Sequence, residues 1–262
     1  CARAPLALLG RSYATIAAGM RHVCALDTAG AAFCWGFSLL GETGDPGFGV
    51  TVLPPAPVPG AEVFASLGAG DAFTCGITTA GRALCWGSNN RGELGRTVGT
   101  CGSTFGFASV CSPVPGPVVA AERFASLSVG NAHVCGITVG GSAMCWGDNG
   151  QGQLGTRDFS QGDRAVVAQN GMRFAAINAS GAATCGTPAE GASVCWGLNL
   201  LGKLGVGTRT ELSTTPLAIK GDRRFVAFAG GQDYVCAADA AGAAYCWGGG
   251  RFGQLGSGEM LP

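Results

Sequence analysis

Charge is what this chain has least of. Only 12% of its 262 residues are charged, and just two are Lys, Lys203 and Lys220. That is roughly half the usual charged share. Sixteen basic residues stand against sixteen acidic ones, so no net field favours nucleic acid or anionic headgroups, and a polyanion partner is not expected. Histidine is equally scarce, with His22 and His133 alone. There is no Cys-x-x-Cys, no Cys-x-x-Cys-His and no Gly-x-Ser-x-Gly. The zinc, haem and nucleophile-elbow signatures are therefore missing. No apolar run approaches the roughly 18 residues of a membrane span, and no stretch keeps a helical period between caps. Disorder is excluded as well, because 47% of the chain is apolar.

What the chain has in abundance is Gly, 47 residues, and Cys, 13 residues, and both recur at fixed positions. All five Trp lie in the tripeptide Cys-Trp-Gly, at 34–36, 85–87, 145–147, 195–197 and 246–248. Upstream of each, at constant distance, stand an aromatic (Tyr13, Phe64, Phe124, Phe174, Phe225) and a second Cys (Cys24, Cys75, Cys135, Cys185, Cys236). Successive repeats start 51, 60, 50 and 51 residues apart. Leu-Gly follows at 94–95, 154–155, 204–205 and 255–256, while the first copy has Thr43-Gly44. A repeat of this length and composition, with no capping copies, is expected to build a ring of small sheets.

Local signals within a repeat are all β. Between the paired Cys lie three-residue segments with Gly in third place, Gly30, Gly81, Gly141, Gly191 and Gly242. That is the hairpin loop that ends on a left-handed Gly. It sets the two Cys of each pair opposite one another. The expected architecture is all-β, one five-bladed β-propeller of four-stranded blades over residues 1–262, with an insertion at about 96–116. Pro5-Leu6-Ala7-Leu8-Leu9-Gly10 parallels Pro216-Leu217-Ala218-Ile219-Lys220-Gly221. Residues 1–12 are accordingly expected to complete the last blade and close the ring.

The pattern Phe124-Ala-Ser-Leu, Gly130, Cys135-Gly136-Ile137, Gly141, Cys145-Trp146-Gly147-Asp148-Asn149 and Gly152-Gln153-Leu154-Gly155 resembles the repeat of the regulator of chromosome condensation. Its Cys-bearing form looks like that of secreted bacterial proteins, with the plant crinkly-type receptor ectodomains more distant. The resemblance covers nearly the whole chain and implies a propeller. It does not fix a function, because members are mostly seven-bladed and do unrelated jobs, nucleotide exchange on a small GTPase and β-lactamase inhibition among them.

The cysteines pair at a constant ten-residue offset: Cys24 with Cys34, Cys75 with Cys85, Cys135 with Cys145, Cys185 with Cys195, Cys236 with Cys246, and Cys101 with Cys111 inside the insertion. Cross-strand disulfides suit this spacing better than metal binding, and they place the protein outside a reducing cytosol. Cys1 is left over. It is read as the acylated first residue of a bacterial lipoprotein, against the plainer reading of an arbitrary first residue.

Neither catalytic residues nor a cofactor or metal site can be assembled, and an enzyme is not expected. The glycines of Gly248-Gly249-Gly250-Arg251-Phe252-Gly253 mimic a dinucleotide fingerprint but belong to the repeat, and no helix follows. His22 and His133 occupy a packing position that is Phe73, Ala183 or Tyr234 in other copies. Arg21, Asp71, Asn131 and Gln232 hold nearly equivalent places and are expected along one mouth of the channel.

The loops after Cys-Trp-Gly differ most between copies. Two are polar; the other three offer Phe37, Leu39 and Leu40, then Leu198, Leu200 and Leu201, then Phe252. In a closed ring these three are neighbours and would form one apolar interaction patch; the alternative is that the loops fold inward. The function expected is a non-enzymatic protein-interaction module. It would be lipid-anchored on the periplasmic or outer face of a bacterial membrane, as an accessory subunit of a larger complex, either respiratory, photosynthetic, secretory or envelope. The competing expectation is a soluble secreted recognition protein, lectin-like or an inhibitor of a secreted enzyme.

Overall fold

A computed structural model describes the chain apart from residues 1–3, 5–7, 9, 105–106, 169–171, 209 and 261–262. The described residues form five antiparallel sheets, one per repeat. The first holds β1 (Tyr13–Ala18), β2 (His22–Asp27), β3 (Ala32–Ser38) and β4 (Val50–Pro57). The second holds β5 (Phe64–Ala69), β6 (Phe73–Thr78), β7 (Ala83–Ser88) and then β9 (Phe107–Pro117), with β8 (Thr100–Thr104) on its outer edge. The third is β10 (Phe124–Val129), β11 (His133–Thr138), β12 (Ala143–Gly147) and β13 (Gly162–Val167). The fourth is β14 (Phe174–Ser180), β15 (Ala183–Pro188), β16 (Val194–Leu198) and β17 (Leu212–Ala218). The fifth has three described strands, β18 (Phe225–Gly230), β19 (Tyr234–Asp239) and β20 (Ala244–Gly248).

Register follows from the hairpins. Gly30, Gly81, Gly141, Gly191 and Gly242 all take φ between 80° and 89°, so each turn closes without a Cβ penalty. The pairing then sets Cys24 opposite Cys34, and likewise Cys75 and Cys85, Cys135 and Cys145, Cys185 and Cys195, and Cys236 and Cys246. All five pairs are bonded, as is Cys101 with Cys111 across the insertion hairpin of β8 and β9. The aromatic that opens each repeat packs on the Trp of its own sheet, as Phe124 does on Trp146 at 5.7 Å between centroids.

Sheets pack face to face in sequence order, first on second through to fourth on fifth. The inner-strand ends Ala18, Ala69, Val129, Ala179 and Gly230 surround one central cavity of about 280 Å³. This is the arrangement of propeller blades around an axis. Of the segment Pro5–Gly10 expected to close the ring, residues 5–7 and 9 lie outside the described residues. Among the described residues, no strand of the first sheet packs extensively on a strand of the fifth. No helix among the described residues is long and apolar enough to cross a membrane.

Candidate functional site

The loops that follow Cys-Trp-Gly share one face of the sheets, and a single position anchors them. In the first loop the Glu42 carboxylate accepts Leu39 N at 3.0 Å and Leu40 N at 2.7 Å. Glu93 accepts Arg91 N at 2.7 Å, Gln153 accepts Gln151 N at 2.9 Å and Gln254 accepts Phe252 N at 2.8 Å. A second staple recurs where Asn is present: the Oδ1 atoms of Asn89, Asn149 and Asn199 accept Leu94 N, Leu154 N and Leu204 N. Burial pushes the Glu42 and Glu93 carboxyls above the usual range, against the amides that favour their ionised forms.

The fourth loop breaks the rule. Lys203 stands at the anchor position, and an ammonium accepts no hydrogen bond. It turns inward, buried, and its Nζ donates to Ser180 O and Gly231 O at 2.8 Å and to Gln232 O at 2.6 Å. Burial pulls its pKa down to about 8, with Asp233 acting the other way. Held by Asn199 but without the Glu or Gln acceptor, the loop forms a 3-10 turn over Leu200–Gly202, with Leu201 at φ 58°, a left-handed conformation that costs a non-Gly residue roughly 1 to 3 kcal/mol. Leu200 and Leu201 are thereby held outward, 57% and 50% exposed.

The structure scatters the apolar residues that the sequence groups into one patch. Leu40 is buried, because Glu42 draws the first loop inward through its two amide bonds. That corrects its expected place on the surface. Phe37 and Leu39 are half-buried in a cleft of about 430 Å³ with Met20, Arg21 and Asp71. Leu198 and Leu200 line the mouth of the channel, a space of about 260 Å³, with Asp71, Asn131 and Gln232. Leu201 reaches toward Gly249 of the fifth sheet. Phe252, 86% exposed, stands on the next loop.

Asp71 is common to the cavity, the mouth and the side cleft. Burial raises its pKa, while the Asn131 side chain and the Arg91 charge oppose that rise. Asp71, Asn131 and Gln232 therefore do line the mouth, and Arg21 lies beside it in the cleft. Sequence reasoning missed the Arg91 to Asp148 ion pair at 2.9 Å on the rim and the inward turn of Lys203. Only the second had a signal, the lone cation in a column of Glu and Gln. His22 and His133 are buried, as the packing reading requires. Each Nε2 lies 2.9 Å from a Thr hydroxyl of the next sheet, Thr74 or Thr184. Those hydroxyls donate to Glu42 O and Gln153 O, so the imidazoles are the donors and their Nδ1 atoms, which have no partner, are the bare nitrogens. No group of three metal-ligating side chains occurs among the described residues.

Comparison with known proteins agrees with this geometry. Residues 64–93 and 124–153 match the family model of the regulator of chromosome condensation (RCC1) repeat. The chain is 30% identical over 148 residues to the mitochondrial RCC1 domain-containing protein RUG3 of Arabidopsis thaliana, across 54% of this chain and 32% of that protein. It is 31% identical over 156 residues to the secretion-regulating guanine nucleotide exchange factor of Bos taurus, across 56% of this chain and 32% of that protein. The match thus spans about a third of these relatives' length. Among solved structures, Prp20p of Saccharomyces cerevisiae superposes with TM-score 0.79 at 19% identity, covering 95% of this chain and 60% of its own. Human WBSCR16 gives 0.78 at 18%, covering 92% and 64%. The ectodomain of the Physcomitrella patens receptor kinase CR4 gives 0.59 at 22%, covering 94% and 53%. Two stretches of the chain therefore match the repeat of the regulator of chromosome condensation, and its fold is similar to that of these solved propellers.

Proposed function

We propose that this protein is a non-enzymatic interaction module that docks on a protein partner through the loop face around the channel mouth. The observation that carries this reading is the held exposure of Leu200, Leu201 and Phe252, on loops pinned by the side chains of Asn199 and Gln254. Apolar groups presented on a rigid frame lose little ordering entropy on binding. One solved propeller of similar fold supports a protein partner: Prp20p is described with its binding to Gsp1p and histones, and, as yeast RCC1 (Prp20), in a second structure bound to Kap60.

The finer reading places the module at a bacterial envelope, held through a lipid on Cys1 and attached to a larger membrane complex. Six disulfides support an oxidising compartment. Cys1 lies outside the described residues, and mass spectrometry of the native first peptide tests its acylation. Binding is tested by changing Leu200→Asn, Leu201→Asn and Phe252→Asn together. The fold should survive, because no core position is touched. Each side chain buried at a contact is worth about 1.5 to 3 kcal/mol, so the triple change should abolish a complex of roughly micromolar affinity, worth about 8 kcal/mol. Gln151→Ala, on a polar loop, should leave it intact. Normal co-purification of the triple variant refutes this face.

A further inference from the structure

Four joints hold the five sheets together, and they are built alike. The face of one sheet that carries the disulfide receives the aromatic and Trp of the next: Cys75, Cys85 and Leu94 receive Phe124 and Trp146, and Cys135, Cys145 and Leu154 receive Phe174 and Trp196. The first and last joints repeat the pattern. In three joints the indole also donates to the carbonyl just ahead of the loop's closing Leu-Gly step. Trp146 Nε1 meets Glu93 O at 3.0 Å, Trp196 Nε1 meets Gln153 O at 2.9 Å and Trp247 Nε1 meets Lys203 O at 2.8 Å. Trp86 Nε1 is buried without a partner, in the joint whose loop has Thr43 in place of Leu.

Both ends of the row carry half of this joint. On the fifth sheet the receiving face is uncovered: Cys236, Cys246 and Leu255 are partly exposed, whereas their counterparts in the other sheets are buried. Gly95 and Gly205 lie against an indole; Gly256 has nothing near it. On the first sheet the inserting face is uncovered, with Tyr13 and Trp35 partly exposed and Ile16 open to solvent.

The hairpin loops add a preference. Arg123, Arg173 and Arg224, each just ahead of an opening aromatic, cap carbonyls in the loop of the preceding sheet, at Ala80, Gly140, and Pro188 with Gly191. The first loop needs no such cap, because Asp27 accepts Ala29 N and Ala31 N itself, and the next sheet has Val63 where the others have Arg. The fifth loop is of this self-capped kind, with Asp239 accepting Ala241 N and Ala243 N.

We propose that the open face of the fifth sheet is a docking surface for one further sheet of the same repeat type, whose Trp inserts beside Leu255 and whose opening aromatic follows an uncharged residue. A second whole copy does not fit this role. The five inner strands already surround one cavity, so a copy continuing the same curvature would drive its later sheets into the first sheet of its neighbour. The inserted sheet has the two faces of any internal one, and its disulfide face suits Tyr13 and Trp35. This inference is independent of the partner bound on the loop face.

The test places a second copy of residues 206–256 in register after Gly256, with Arg224→Val in the copy. Hydrogen exchange of β19 and of the 251–256 loop is read against the unextended chain. Protection should rise about tenfold or more. Two single changes should each return it to the unextended value: Trp247→Ala in the added copy, and Leu255→Lys in the parent sheet. Unchanged protection in the second to fourth sheets confirms folding. No gain in protection by a folded added repeat overturns the proposal. So does concentration-dependent oligomerisation of the unextended chain that Leu255→Lys and Trp35→Ala both abolish, since the occupant is then a second copy.

Discussion

Lys203 shows how one side chain reshapes a loop. At its position the other copies have Glu42, Glu93, Gln153 and Gln254, each accepting a loop amide. Lys203→Gln restores an acceptor, and Leu201 should then leave its left-handed conformation. Its methyl resonances should report the change, and partner affinity should fall although both Leu remain. The same variant has a pH signature. With the folded pKa near 8, against about 10.4 in an unfolded chain, the unfolded state binds more protons between these values. Stability should therefore rise with pH across that window, by up to roughly 3 kcal/mol, and Lys203→Gln should flatten the rise.

The two histidines act at the acid end. Burial pulls both pKa values down to about 4, so the fold holds neutral imidazoles that an unfolded chain protonates below about 6.5. Stability should be full above that pH and should fall by up to roughly 3 kcal/mol per histidine as pH drops toward 4. Glu42 and Glu93, raised by burial, work in the opposite direction as they take up protons. His133→Phe, copying Phe73 of the second sheet, should remove about half of the histidine contribution, as read by urea unfolding at pH 7 and pH 5.

At the scale of the element, the hairpin was the most legible unit in the sequence. The turn Gly, the ten-residue Cys offset and the Cys-Trp-Gly strand are local signals that agree with one another, and local agreement leaves one register. The outer strands were less legible. β9 runs through the insertion and β13 has little apolar alternation, so their places depend on edges formed elsewhere in the chain. Exposure now separates hairpins that the sequence makes equivalent. Cys236 and Cys246 are partly exposed, while the other four hairpin pairs are buried. Under mild reductant without denaturant, alkylation should label Cys236 and Cys246 before any of those eight. Simultaneous labelling of all five hairpins would show that the end sheet is as well covered as the rest.

At the scale of the whole molecule, the repeat count and the order of the sheets were readable, because each repeat packs mainly on its neighbours. The binding face was readable only in part. The sequence singled out the variable loops and the residues Asp71, Asn131 and Gln232 that line the mouth, but the direction of each loop depends on its buried anchor. Glu42 takes Leu40 inside, and Lys203 leaves Leu200 and Leu201 out. The central claim is that a protein partner sits on the loop face, and a hydrogen-exchange footprint of the native complex tests it most directly. Bound partner should protect amides of residues 198–203 and 251–254 and leave the hairpin loops at 79–81 and 139–141, on the opposite face, unchanged. Protection of those hairpin loops with no change at 198–203 would contradict the account.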